Sequence, residues 1–240
     1  MTALSENFKT RASHFNKLAS TAGRLLVKPF AALLIAAAVF PASITPGYAQ
    51  TAQAASQTIL VLGDSLSAEY GLKRGSGWVS LLEKQLADEK KAVKLVNASI
   101  SGDTTSGGNS RLASLLSKHQ PSIVVLELGG NDALRGLPLD MTEKNLLSMT
   151  QASKKAGAKV LLVGMQVPPN YGSAYTANFS GLFAKVAKAE KVSLVPFFLK
   201  GIADVADSTA QFQADRIHPN EQSQAKMLAN VWPELKKMIK

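Results

Sequence analysis

From residue 58 onward the chain carries five short runs of apolar and β-branched residues, and this pattern constrains the fold most. The runs lie at 58–62, 93–97, 123–128, 159–164 and 192–196. Between them fall amphipathic stretches at 78–89, 106–118, 142–156 and 176–190, with a last one at 220–239. That last stretch is expected to break at Pro233, because proline lacks a backbone donor. Largely continuous apolar runs alternating with helices imply a parallel sheet covered on both faces. No internal repeat, low-complexity linker or shift of composition follows residue 56, so 55–240 is expected to be a single domain.

The first 54 residues follow a different grammar. Lys9, Arg11, Lys17, Arg24 and Lys28 precede the apolar stretch "PFAALLIAAAVF" at 29–40. Pro41, "TPG" and the small-residue patterns "GYA" and "AQA" come next. This is the basic, apolar and cleavage-site order of a secretory signal. The apolar run is short for a bilayer span. Residues 1–54 therefore read as a signal peptide and cleavage region of an exported, periplasmic or secreted protein. An uncleaved anchor and an organelle transit peptide are the competing readings of this long basic leader.

The chain has no cysteine, which excludes disulfides, a thiol nucleophile and Cys-based metal sites. His14, His119 and His218 are widely separated, which argues against a multi-histidine metal site. Cleavage would remove five of the 27 basic residues and one of the 17 acidic ones, leaving a formal charge of +6. Such a surface suits peripheral contact with an anionic membrane, and equally a merely soluble cationic protein. No arginine-rich arm or aromatic–basic alternation points to nucleic acid.

In open parallel sheets, ligands bind beyond the carboxyl ends of the strands. The first run here ends in "GDSLS" (63–67), the second in "NASISGDTTSGG" (97–108) and the third in "GGND" (129–132). The fourth ends in "MQVPPNYG" (165–172), and "DRIHPN" (215–220) lies beyond the fifth. Small polar groups from distant segments thus meet at one edge.

A serine hydroxyl needs a neighbouring base to become a nucleophile. Ser65 stands in a strand-to-helix turn, where free N–H groups would stabilise the developing oxyanion. The sequence is not G-x-S-x-G, so the α/β-hydrolase elbow does not apply. A turn-and-cap role for Asp64, Ser65 or Ser67 explains the same letters. His218 follows the last strand, with Asp215 three residues before it to orient the ring. An exposed, helix-capping histidine is the plainer account. His119, at a helix end beside Pro121, reads as a cap or surface residue. Gly102 offers an unobstructed N–H and Asn131 a side-chain amide, although both are ordinary loop residues. What resists the plain readings is the order: serine, glycine, asparagine and D-x-x-H, each after a different strand.

These blocks resemble the SGNH (GDSL) hydrolases. Residues 63–67 match the first block, Gly102 the second, Asn131 the third, and "DRIHPN" the fifth. The longer runs "LGDSLSAEYG", "VNASISGDTT", "LELGGNDALRG", "PPNYG" and "PFFL" look like the bacterial thioesterase/lysophospholipase/arylesterase branch. The resemblance spans about 57–237. It implies a flavodoxin-like three-layer α/β/α sandwich with a five-stranded parallel sheet. It also implies Ser65 as nucleophile, His218 as base and Asp215 as its partner. The oxyanion would rest on the Ser65 and Gly102 N–H groups and the Asn131 amide. No cofactor or metal is implied, the substrate is a small-molecule ester or lipid, and the chain is read as a monomer. Leu134, Tyr171, Tyr175 and Phe179 are candidates to wall an acyl groove, against ordinary loop packing. Arg216 departs from the small or acidic residue expected beside the Asp–His pair. A carbohydrate acetylesterase and a non-catalytic envelope binding protein are the alternatives on the same fold.

Overall fold

The computed structural model describes residues 57–240. The leader and its cleavage region lie outside the described residues. The elements run β1 (Gln57–Gly63), α1 (Trp78–Asp88), β2 (Val93–Asn97), α2 (Thr105–His119), β3 (Ile123–Glu127) and α3 (Gly130–Leu134). Then come α4 (Leu139–Lys155), β4 (Lys159–Val163), α5 (Ser173–Glu190), β5 (Ser193–Val195) and α6 (Gln224–Lys236).

The five strands form one parallel sheet in the order β2-β1-β3-β4-β5. Helices α1 and α6 pack together on one face, and α2, α4 and α5 on the other. The expected three-layer α/β/α sandwich is therefore what forms. Ile59, Leu60, Val61 and Leu62 of β1 are fully buried, as are Ile123–Leu126 of β3, because each strand is covered on both faces. At the edge, β2 has only half-buried and exposed positions.

Each helix turns one apolar stripe inward. In α1 the stripe is Trp78, Val79, Leu82 and Leu86, a spacing that returns to one face every three to four residues. Trp78, Phe179, Phe183 and Phe198 are among the largest fully buried side chains. Burying a side chain of this size contributes roughly 1.5–3 kcal/mol relative to leaving it in water. The start of α2 is capped by Thr104, whose side chain accepts the Gly107 N–H. His119 stands in the last turn of α2, near the negative end of the helix dipole.

Two sequence expectations need correction. Pro233 does not break the last helix but lies inside α6. Leu235 beyond it is fully buried and Met238 nearly so, and packing of this last turn holds it against the lost hydrogen bond. The "GGND" loop is also more ordered than expected. Gly129, at φ +119°, turns the chain directly into the short helix α3, which places Asn131 in a helical first turn. Among the described residues no helix is long and apolar enough to cross a membrane.

Candidate active site

The chain leaves β1, crosses to β2 on one side, and returns to β3 on the other. The crevice above β1 is therefore the switch point of the sheet, where ligands bind in folds of this kind. Ser65 follows β1, Gly102 follows β2 and Asn131 follows β3.

Ser65 and His218, 153 positions apart, are in hydrogen-bonding contact: Oγ is 2.9 Å from Nε2. The other ring nitrogen, Nδ1, is 2.7 Å from Asp215 Oδ2. The second oxygen of Asp215 accepts the N–H groups of Ile217 at 2.9 Å and His218 at 3.0 Å. Partial burial of Asp215 opposes its ionisation. The His218 N–H, the Ile217 N–H and the His218 ring outweigh that effect and hold the carboxyl at about 2. An ionised Asp215 fixes the ring tautomer that leaves Nε2 free to accept a proton.

The loop bearing His218 is tied down from several sides. Gln213 N–H donates to the His218 carbonyl at 2.8 Å, and its side-chain amide to the Tyr70 carbonyl at 2.9 Å. The Tyr70 ring lies over the imidazole with centroids 4.4 Å apart. Arg216 occupies the turn between Asp215 and Ile217 at φ +58°, exposed to solvent. Its position beside the pair thus follows from a left-handed turn, a conformation that a residue with a Cβ adopts at some cost.

Ser65 N–H and Gly102 N–H donate to no acceptor among the described residues, so both are free to donate to a ligand. Asn131 is different. Its Nδ2 donates to Asp64 Oδ2 and to the Asp103 carbonyl, both at 3.0 Å. A substrate oxyanion would have to share one of these hydrogens, a tightening expected only as the transition state forms.

Behind the serine sits a buried pair of acids that sequence reasoning missed. Glu127 ends β3, and its Oε2 accepts the Ser67 hydroxyl at 2.6 Å and, weakly, the Asp64 N–H at 3.4 Å. Trp78 Nε1 donates to the Ser67 oxygen at 3.1 Å, so the hydroxyl hydrogen is directed to Glu127. Burial pushes Asp64 up to about 6, against the opposing pulls of Leu66 N–H, His218 and Asn131. Burial first, then the Asp64 charge, hold Glu127 well above the usual carboxylate range. Asp132, the last letter of "GGND", is a clamp: it accepts from Thr105 N–H at 2.8 Å, from the Thr105 hydroxyl, and from Thr142 at 3.2 Å.

The candidates for an acyl groove separate. Leu134, 49% exposed, stands three residues beyond Asn131. Tyr171 is exposed and stacks on half-buried Tyr175 at 6.0 Å. Phe179 is fully buried, 6.4 Å from Tyr175 and edge-on to Phe183 at 5.5 Å. It belongs to the core, not to a groove wall, because it occupies the inward stripe of α5 with Leu182 and Phe183.

Residues 61–226 match the GDSL-like lipase/acylhydrolase family. Esterase TesA of Pseudomonas aeruginosa is 52% identical over 189 residues, which cover 79% of this chain and 92% of that protein. Thioesterase 1/protease 1/lysophospholipase L1 of Escherichia coli is 43% identical over 171 residues, 71% of this chain and 79% of the relative. A crystal structure of TesA, 52% identical, superposes with a TM-score of 0.73 over 76% of this chain and 100% of that one.

Proposed function

Since the chain belongs to the GDSL-like lipase/acylhydrolase family, a group of ester hydrolases, we propose that Ser65, His218 and Asp215 are its catalytic triad. The observation that carries this reading is the unbroken relay from Ser65 Oγ through the imidazole to Asp215, with contacts of 2.9 and 2.7 Å.

The chemistry follows from the atoms in place. Ser65 Oγ attacks the ester carbonyl carbon while His218 Nε2 takes the hydroxyl proton. The oxyanion forms against the Ser65 and Gly102 N–H groups and the Asn131 amide. Collapse breaks the bond to the leaving group, which departs with the proton from Nε2 and leaves an acyl-serine. Water then attacks the acyl carbon, its proton passing to Nε2 and finally to Oγ, and the acid is released.

The substrates we assign are short to medium acyl esters, aryl esters and lysophospholipids, with acyl-CoA thioesters cleaved in vitro. Four exposed apolar side chains support this choice over a polar sugar. Tyr70 lies against His218, Ile217 precedes it, Ile100 stands two residues before Gly102, and Leu134 follows Asn131. An apolar rim favours burial of an acyl or aryl group by about 25 cal/mol per Å². We further propose an exported monomer, directed by the leader at 1–54, whose cationic surface meets anionic lipid at the periphery. Membrane-sedimentation of the mature protein with anionic vesicles checks the last point.

The test of substrate class is a chain-length series of p-nitrophenyl esters run beside lysophosphatidylcholine and an acetylated sugar. Higher kcat/KM on butyrate or longer esters than on the sugar is expected. Activity confined to the acetylated sugar would overturn the assignment.

A further inference from the structure

Asn131 and Arg135 are four residues apart across α3 and its C-terminal cap, so their side chains emerge on the same side. Each holds one of two successive carbonyls in the loop after β2. Asn131 Nδ2 donates to the Asp103 carbonyl at 3.0 Å, and Arg135 Nη2 donates to the Gly102 carbonyl at 2.7 Å. The second bond is charge-assisted and short, and therefore among the stronger kinds.

The segment it grips is a tight turn. Asp103 N–H closes back on the Ile100 carbonyl at 3.0 Å, and Gly102, third in the turn, has φ +80°. That geometry suits glycine, which has no Cβ to restrain it. Upstream the turn is anchored to β1, through Ile100 N–H on the Gly63 carbonyl at 3.0 Å. Downstream, Arg111 Nε holds the Asp103 carboxylate at 2.9 Å. Toward α3, Arg135 is the contact that reaches Gly102 itself. Without it, the glycine that offers a free N–H to the crevice would be fixed to α3 only through its neighbour.

We propose that Arg135 is a positioning residue for the oxyanion hole: its grip on the Gly102 carbonyl fixes the Gly102 N–H relative to the Asn131 amide. This rests on the assignment of Gly102 to that hole. The guanidinium does not touch the reacting atoms. It sets the spacing of two donors carried by segments that follow different strands, which must be right to within a fraction of an ångström to stabilise a transition state.

The test is steady-state hydrolysis of p-nitrophenyl butyrate by Arg135→Gln and Arg135→Lys, with Ser65→Ala alongside. Removing one oxyanion donor outright typically lowers kcat by about 10²–10³, so misaiming one should lower it by roughly 10–100-fold. KM should stay within about two-fold, because the ground-state carbonyl gains little from the hole. A trifluoromethyl ketone, whose serine adduct carries an oxyanion, should bind Arg135→Gln more weakly by about the same factor as kcat falls. Arg135→Lys keeps a cationic donor and should lie between the two. If Arg135→Gln melts below the assay temperature, the lysine variant and its ketone affinity give the same reading. Full kcat in the Arg135 variants, or a loss confined to KM, overturns the inference while inactive Ser65→Ala leaves the triad standing. Activity retained by Ser65→Ala overturns both.

Discussion

Replacing Glu127 by glutamine removes one titrating proton from the centre of the protein while keeping its shape. The amide oxygen can still accept the Ser67 hydroxyl and the Asp64 N–H that Glu127 accepts now. In the folded protein burial, reinforced by Asp64, raises the Glu127 carboxyl well above its ordinary value of 4.5. In the unfolded chain it titrates as an ordinary glutamate. Above pH 4.5, folding therefore favours proton uptake at this side chain. The sign follows: a carboxyl raised by folding contributes stability that is full below about 4.5 and is lost as pH rises toward the folded value. One proton taken up on folding corresponds to a slope of about 1.4 kcal/mol per pH unit. As pH rises above 4.5, wild type should therefore lose stability relative to Glu127→Gln. Asp64, pushed up to about 6 by burial, adds its own decline between 3.8 and 6. Any fixed penalty for fitting the amide shifts the difference without tilting it. Urea unfolding of both proteins at closely spaced pH values measures the tilt. Parallel stability curves across this range would refute the reasoning, because they would mean that Glu127 ionises in the fold as it does outside it.

Other expectations concern single side chains. Asn131→Ala should lower kcat by roughly 10²–10³ with little change in KM, and a loss confined to KM would point to substrate binding instead. Asp215→Asn should reduce turnover by about 10²–10⁴, less than loss of the serine, because the ring is left in the wrong tautomer while the hydroxyl stays. Phe179→Ala should destabilise by about 3–5 kcal/mol in urea unfolding. A normal unfolding midpoint with a KM defect on longer acyl esters would restore Phe179 to the groove.

Much of this was legible before the structure. The five strands were visible because a parallel sheet buries both faces, and runs such as Ile59–Leu62 betray that directly. Ser65, Asp215 and His218 could be picked out because they stand in motifs with chemical meaning beyond strand ends, and their side chains are in contact in the structure. What escaped notice depended on contacts across long separations. Glu127 sits in an apolar strand, 60 residues from the Ser67 hydroxyl it accepts. A lone acid closing an otherwise apolar run was the available signal, since a strand covered on both faces leaves it no water. Arg135 meets Gly102 across 33 residues, and nothing local marks an exposed arginine as a clasp. Phe179 was misplaced because it ends a row of aromatics with Tyr171 and Tyr175, whereas α5 turns it inward. Pro233 misled because the helix rule is local and the packing of Leu235 is not.

The central claim is that one hydroxyl and one imidazole act as a unit. Turnover of p-nitrophenyl butyrate by Ser65→Ala, His218→Ala and the double variant tests it most directly. Each single substitution should lower kcat by on the order of 10⁶, and the double variant should be no slower than either one. Near-normal turnover by Ser65→Ala, or losses that multiply in the double variant, would contradict it.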